Sequence, residues 1–186
     1  MSDERFNEIE KQCLLELARF AIESRLKPVK GPPEIESSSA LSTKCGAFVT
    51  VHKSGQLRGC IGTFISDQPV TGTIEEMALA AAFNDPRFPP LRGEELPFID
   101  LEISVLSPMR EIEDIEEIVV GEHGIYIICE PNRGVLLPQV ATEQNWDRDT
   151  FLEHTCIKAG LHRGAWQEER TKIFIFSAEV FGEVED

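Results

Sequence analysis

Long apolar runs are missing from this sequence: no stretch approaches the ~18 consecutive apolar residues that a membrane-spanning helix needs. The first residues, Met1 to Arg5, also lack the basic start and the apolar run of a secretory signal. We therefore expect a soluble, cytoplasmic protein with no membrane partner. Its hydrophobic share of 41% and its charged share of 27% are those of an ordinary globular chain.

Basic residues are also scarce. Eighteen lysines and arginines stand against 33 aspartates and glutamates, which gives a formal net charge of −15. A field of this sign repels nucleic-acid phosphates and anionic lipid headgroups. We therefore expect no nucleic-acid partner, and we interpret the acidic runs in 111–122 and 179–186 as a solvated surface.

Paired metal ligands and phosphate-binding loops are absent as well. The sequence has no C-x-x-C pair and no H-x-x-x-H pair, so nothing signals a structural zinc site. Neither a phosphate-binding loop nor a dinucleotide fingerprint is present, and the odd number of cysteines argues against a disulfide framework. We expect no metal and no cofactor, and we expect five free thiols: Cys13, Cys45, Cys60, Cys129 and Cys156.

Hydrophobic periodicity predicts three main helices and two hairpins in a chain of 186 residues, the length of one domain. Hairpins stand where a doubly wound fold needs crossover helices, so we predict a single α+β domain over residues 1–186 with largely antiparallel strands. The first half has a predicted helix over 3–26 capped by Ser2, strands 47–51 and 57–64, and a helix from the capping box Thr73-x-x-Glu76 to Asp85-Pro86. The second half has strand 101–105, strands 125–129 and 135–137 with a turn at 131–134 and an end at Pro138, and strand 172–180. Between the last two lies a helix that bears Phe151, Leu152, Thr155, Cys156 and Ala159, capped by Asp147 or Asp149 and ended by Gly160.

The segment Leu57 to Gly62 places a cysteine between two glycines in a predicted strand. The period of two puts Arg58 and Cys60 on one face with their Cα atoms roughly 6.5 Å apart, near enough for the guanidinium to lower the pKa of the thiol. Gly59 and Gly62 indicate a bulge or the close approach of another backbone or a ligand, which gives access to Cys60. The alternative is that the glycines let the sheet curve and that Cys60 fills a small gap in the core.

A proline-rich loop follows the second predicted helix. Three prolines in residues 84–90 stiffen a backbone that carries Asp85, Arg87 and Phe88. Such a loop is able to present its charges to a site; the alternative is a surface Asp85–Arg87 pair in a connector.

Three further side chains are candidate bases. Glu102 alternates with the apolar residues of its strand and Glu143 follows an apolar run, so each is either a general base or a solvated charge. His123 precedes Gly124 and an apolar strand, where it is either a base for Cys60 or a turn residue.

Several segments together share the pattern of one known family. They are Gly46 to Thr50, Leu57 to Gly62, Ala81 to Phe83, Asp85 to Phe88, Glu102 to Pro108, Gly121 with His123-Gly124, Leu136 to Ala141, and Lys158 to Gly160. In this order, along nearly the whole chain, they resemble the AMMECR domain family, whose hallmark Arg58-Gly59-Cys60 is intact here. The resemblance implies one compact α+β unit, with antiparallel strands in a barrel-like sheet and helices packed outside in two β-α repeats.

The resemblance implies no defined reaction, so two hypotheses stand. In the first, the protein is an enzyme or enzyme component in which Cys60 is a nucleophile or thiol ligand, while Arg58 and Arg87 hold a small anionic substrate. The other candidates are Asp85, Glu102, Glu143 and His123 for proton transfer and Gly59, Gly62 and Phe88 for contact with the substrate.

In the second hypothesis the protein is a non-catalytic or regulatory module. The glycine-rich strand and the loop over 85–90 then form a surface that docks a protein partner. Prokaryotic relatives are often encoded beside, or fused to, a Memo-like protein and a radical S-adenosylmethionine protein. The resemblance therefore implies that proteins of these two kinds share a pathway with this chain.

Overall fold

The computed structural model describes residues 5–35 and 38–184. The chain forms two compact units: the first runs to Leu106 and resumes at Glu179, and the second is Ser107–Ala178. Helices and antiparallel strands occur throughout, so the predicted α+β class is confirmed. No helix in these ranges is long and apolar enough to cross a membrane. The elements are α1 (Glu8–Leu26), β1 (Ala47–Lys53), β2 (Gln56–Thr63), α2 (Val70–Phe83), β3 (Ile99–Leu106), β4 (Arg110–Ile112), β5 (His123–Cys129), β6 (Asn132–Leu136), α3 (Pro138–Glu143), α4 (Arg148–Lys158) and β7 (Lys172–Gly182).

In the first unit, β1 pairs antiparallel with β2 on one side and with β3 on the other. Apolar residues such as Val49, Val51 and Ile103 lie on the buried face, where α1 and α2 complete the core. The alternate residues of the same strands form the opposite, half-buried face. This polar face comprises Phe48, Thr50 and His52 of β1, Cys60 and Gly62 of β2, and Asp100, Glu102 and Ser104 of β3.

Helix α1 begins later than its periodicity predicts. The predicted start at residue 3 is wrong, because Asn7 caps the helix: its side chain accepts a hydrogen bond from the Glu10 amide, and the Glu10 carboxylate accepts one from the Asn7 amide, both at 2.9 Å. The predicted cap Ser2 lies outside the described residues. The predicted end at residue 26 is confirmed.

Helix α2 begins earlier than predicted. Its cap is Pro69, so Thr73 lies inside the helix rather than at its start. The Thr73 side chain is buried, and its hydroxyl lies 2.8 Å from the Ser66 hydroxyl. The predicted stop before Pro86 is confirmed, since the helix ends at Phe83.

In the second unit, β5 pairs with β6 and with β7, and β4 also pairs with β7, all antiparallel. The predicted hairpin of β5 and β6 is confirmed, but residues 132–134 belong to β6 rather than to the turn. Pro138 begins α3, where the first helical turn needs no N–H from it.

Helix α4 has the ends that the sequence predicts. Asp147 caps it by accepting a hydrogen bond from the Thr150 amide at 2.9 Å. Gly160 follows with φ 75°, the left-handed conformation that glycine adopts at low cost. Phe151, Leu152 and Cys156 of the helix are fully buried in the core of the second unit.

Candidate functional site

Cys60 lies on the polar face of the first unit. The strand register places Thr50 directly opposite Cys60, and Glu102 directly opposite Thr50. Opposed residues of antiparallel strands share a face, so these three side chains form one row. The Thr50 hydroxyl donates a hydrogen bond to the Cys60 sulfur, with 3.3 Å between Oγ1 and Sγ. Because Cys60 is half-buried on the face opposite the core, it does not fill a core gap.

The backbone of Cys60 is held by the two charged residues of the proline-rich loop. Its N–H donates to Asp85 Oδ2 at 2.9 Å, and its carbonyl accepts from Arg87 Nη2 at 3.3 Å. In the sheet order β2 is an outermost strand, with β1 as its neighbour. Asp85 and Arg87 therefore supply the acceptor and the donor that a further strand would have supplied at Cys60.

Asp85 and Arg87 form a two-pronged ion pair. Arg87 Nε lies 3.0 Å from Oδ1 and Nη2 lies 2.7 Å from Oδ2, while the Arg87 amide donates to Oδ1 at 3.0 Å. The Asp85 side chain is only 2% exposed and the Arg87 side chain is 55% exposed. The alternative of a surface pair is therefore wrong: the carboxylate is buried, and the guanidinium keeps one side in solvent.

The ion pair fixes the charge state of both groups. Hydrogen bonds from the Arg87 side chain are the main cause that holds the pKa of Asp85 well below its usual range; burial opposes this, and the Cys60 amide supports it. The Asp85 carboxylate raises the pKa of Arg87, and the electrostatic interaction with Cys60 acts in the same direction. Arg87 is thus a permanent cation in electrostatic contact with Cys60.

Arg58 is directed elsewhere. The register pairs Val51 with Gly59 and His52 with Leu57, so Arg58 is the extra residue of a β-bulge. Its Nε and Nη2 donate to the two Glu95 oxygens, each at 3.1 Å, and Nη2 also donates to the Pro89 carbonyl at 2.9 Å. The side chain is 11% exposed. The cation that is hydrogen-bonded to Cys60 is Arg87, not Arg58.

Glu95 ties the end of the loop to the sheet. Besides Arg58, it accepts hydrogen bonds from Lys53 Nζ at 2.9 Å and from the Arg92 amide at 3.0 Å. These bonds, that of Arg58 first, lower the pKa of Glu95 to about 2 against the opposing effect of burial. The Phe88 ring contacts both guanidiniums, with its centre 5.9 Å from Arg58 and 5.6 Å from Arg87. The loop is therefore anchored at both ends of the Cys60 segment.

We expect this anchor to make stability depend on pH. Because the pKa of Glu95 is depressed from 4.5 to about 2, its contribution is present above about pH 4.5 and is lost as the pH falls towards 2. After allowance for screening by solvent, Glu95→Gln should cost about 1–2 kcal/mol at pH 7. Urea unfolding at pH 7 and pH 3 should show the difference from the wild type shrinking in acid. An equal difference at both pH values would contradict this assignment.

The two glycines that flank Cys60 have separate packing reasons. A Cβ on Gly59 would overlap the carbonyl oxygen of Ala81 in α2, on the buried face. A Cβ on Gly62 would overlap the ring of Phe48 on the polar face. The predicted close approach of another backbone is confirmed at Gly59, and the predicted bulge is present at Arg58.

The remaining predicted bases, His123 and Glu143, belong to the second unit. His123 is half-buried and its Nδ1 accepts a hydrogen bond from the Val119 amide at 3.1 Å, as a turn residue would. Glu143 is exposed at the end of α3. Their roles in proton transfer stay a prediction, as does that of Glu102 in the first unit.

Two residues of the site, Thr50 and Glu95, are not among the candidates named from the sequence. Thr50 has a readable signal, because it alternates with the buried valines of β1 and so lies on the face of Cys60. Glu95 has none, since 37 positions separate it from Arg58. No group of three or more metal-ligating side chains occurs within residues 5–35 and 38–184.

Comparisons with known proteins agree with this fold. The AMMECR1 family model matches residues 15–181. The chain is 40% identical over 179 residues to Protein NEQ441 of Nanoarchaeum equitans, covering 91% of this chain and 98% of that one. It is 41% identical over 184 residues to Protein PYRAB00100 of Pyrococcus abyssi, with 92% and 89% covered. The crystal structure of the uncharacterized protein PH0010 from Pyrococcus horikoshii superposes with a TM-score of 0.76 at 36% identity, covering 96% of this chain and 94% of that one. The chain therefore belongs to the AMMECR1 family.

Proposed function

We propose that the first unit is an enzyme, or an enzyme component, in which Cys60 reacts with or ligates a small substrate whose anionic group binds Arg87. The observation that carries this proposal is the arrangement at Cys60. The Asp85–Arg87 ion pair, whose carboxylate is buried, holds the backbone N–H and carbonyl of Cys60. The thiol lies half-buried beside a hydroxyl donor and the half-exposed cation. Such restraint keeps a reacting atom in one place before the substrate arrives.

The polar groups have separate tasks in this proposal. The Thr50 hydroxyl donates to sulfur, and Arg87 supplies positive charge beside it, as a negatively charged sulfur requires. Asp85 positions Arg87 and Cys60 rather than transferring a proton. Both its oxygens already accept hydrogen bonds, and its low pKa makes it a weak base.

Arg58 and Phe88 support the substrate side of the site. Both arginines are paired with a carboxylate, but the Arg58 side chain is largely buried and that of Arg87 is half-exposed, so we assign the predicted anion-binding role largely to Arg87. Phe88 presents an aromatic surface next to both guanidiniums. We also propose a shared pathway with Memo-like and radical S-adenosylmethionine proteins, for which the family resemblance is the support.

Alkylation tests the proposal within one molecule. Of the five cysteines, Cys13 and Cys60 are half-buried, and burial together with the nearby Glu16 raises the pKa of Cys13. With iodoacetamide at pH 7, Cys60 should therefore be modified at least about tenfold faster than Cys13. Mass spectrometry of the two cysteine-containing peptides at timed intervals gives both rates.

Two variants complete this test. Cys60→Ser should abolish the fast phase, and Arg87→Gln should lower the rate with the anionic reagent iodoacetate more than the rate with iodoacetamide. A Cys60 no more reactive than Cys13 would contradict the catalytic proposal. It would favour the second function, a docking surface built on Phe88, which contacts two cations beside the site.

A further inference from the structure

The polar face of the first unit carries charges of opposite sign on the two sides of Cys60. Arg87 lies at the β2 side of Cys60, and Glu102 lies on the other side, beyond Thr50. Glu102 also lines a cavity of about 730 Å³, together with residues of α1 and the segment 180–184; Cys60 and Arg87 do not line this cavity. Of the row of Cys60, Thr50 and Glu102, only Glu102 borders this cavity.

Glu102 is an unpaired carboxylate within the described residues. Two other acidic residues of the same cavity are neutralised: Glu8 pairs with Lys11 at 2.9 Å, and Glu183 pairs with Arg19. The Glu102 side chain has no hydrogen bond or ion pair in the described ranges, although the residue is half-buried. A partly desolvated carboxylate that faces a cavity is stabilised by a cation.

The spacing of the charges follows from the sheet. Two strand separations lie between the Cα atoms of Cys60 and Glu102, which amounts to roughly 10 Å. The side chains of the row point to one face, so a ligand across it passes over the Cys60 sulfur. Because Arg87 lies on the far side of Cys60, a ligand that reaches both charges is at least about three residues of extended peptide long.

We propose that the substrate of the Cys60 site is a zwitterion, about as long as a short peptide, whose ammonium group binds Glu102 while its anionic group binds Arg87. This rests on the proposed function of Cys60 and adds the class of its substrate. In the next row of the polar face, Asp100 adds negative charge near Glu102, and His52 lies opposite Asp100. The reacting bond of the substrate then lies over the middle of the row.

Charged thiol reagents test this inference. Methanethiosulfonates react by one step: the Cys60 thiolate attacks the sulfenyl sulfur, a disulfide bond forms, and methanesulfinate leaves. The probes are the neutral methyl, the cationic trimethylammonioethyl and the anionic sulfonatoethyl reagents, with the rate at Cys60 followed by mass spectrometry. We compare the rate of Cys60 with the cationic reagent to its rate with the neutral reagent. For Glu102→Gln we expect this ratio to fall about three- to fivefold relative to the wild type, because one nearby negative charge is removed.

The control is Glu76→Gln, which makes the same charge change at an exposed position of α2 and should leave the ratio unchanged. If Cys60 reacts fast with the neutral reagent but Glu102→Gln does not lower the ratio of the two rates, the zwitterion inference alone is overturned. If the neutral reagent modifies Cys60 of the wild type no faster than Cys13, the proposed function is overturned and this inference with it. Circular dichroism of each variant verifies that the fold is retained.

Discussion

Replacing Asp85 with asparagine is expected to lower the free energy of unfolding by about 3 kcal/mol at pH 7. The Asp85 carboxylate accepts hydrogen bonds from the Cys60 amide and from three nitrogens of Arg87 while it is almost completely buried. An amide of the same shape presents one acceptor and one donor, and its donor faces the donors of Arg87. The half-exposed Arg87 side chain can rehydrate, which keeps the loss at the lower end for a broken buried pair.

Urea unfolding at pH 7 measures this loss, with Asp67→Asn as the matched control. Asp67 is exposed in the loop before α2, so the same substitution there should change stability by less than about 0.5 kcal/mol. The contribution of Asp85 is lost as the pH falls below its ordinary value of 3.8, because its pKa in the folded protein is depressed. Equal effects of the two substitutions would show that the ion pair adds nothing to stability.

The strands around the site could be predicted because their signal is local. The alternation of apolar and polar residues in 101–105 is reproduced by the buried and half-buried positions of β3. The glycine-containing turn between β1 and β2 likewise gave the correct hairpin, with Gly55 at φ 76°. These features depend on neighbours within a few residues, which a sequence displays directly.

The direction of Arg58 could not be predicted, because it depends on a bulge. Strict alternation puts Arg58 and Cys60 on one face, and one extra residue in β2 interrupts that alternation. The acceptor of Arg58 is Glu95, which belongs to a 3₁₀ helix far along the chain. Nothing in the local pattern of either residue indicates the other.

The burial of Asp85 could not be predicted from the sequence either. The dipeptide Asp85-Pro86 and the nearby Arg87 have the composition of an exposed connector. The contacts of Asp85 and Arg87 with Cys60 span 25 and 27 residues, and they arise because α2 brings the loop back to the outer side of β2. Tertiary packing decided between the two interpretations of the loop, and it favoured a role in positioning Cys60.

Gly59→Ala should be about as damaging as the loss of Asp85, for a steric reason. The added methyl group would overlap the Ala81 carbonyl oxygen, which is backbone and cannot rotate aside. Either α2 or β2 must shift, so we expect a loss of about 3 kcal/mol or more in the free energy of unfolding. Gly93→Ala is the matched control, because a Cβ there meets nothing within 4 Å.

The same substitution should also disturb the site, since Gly59 directly precedes Cys60 and α2 leads into the loop of Asp85 and Arg87. Any Gly59→Ala protein that folds should therefore lose the fast alkylation of Cys60, whereas Gly93→Ala should keep it. Urea unfolding and the iodoacetamide rate, measured on one preparation, separate the two effects. If Gly59→Ala has the wild-type free energy of unfolding and the wild-type iodoacetamide rate, the approach of α2 to β2 is not needed to position Cys60.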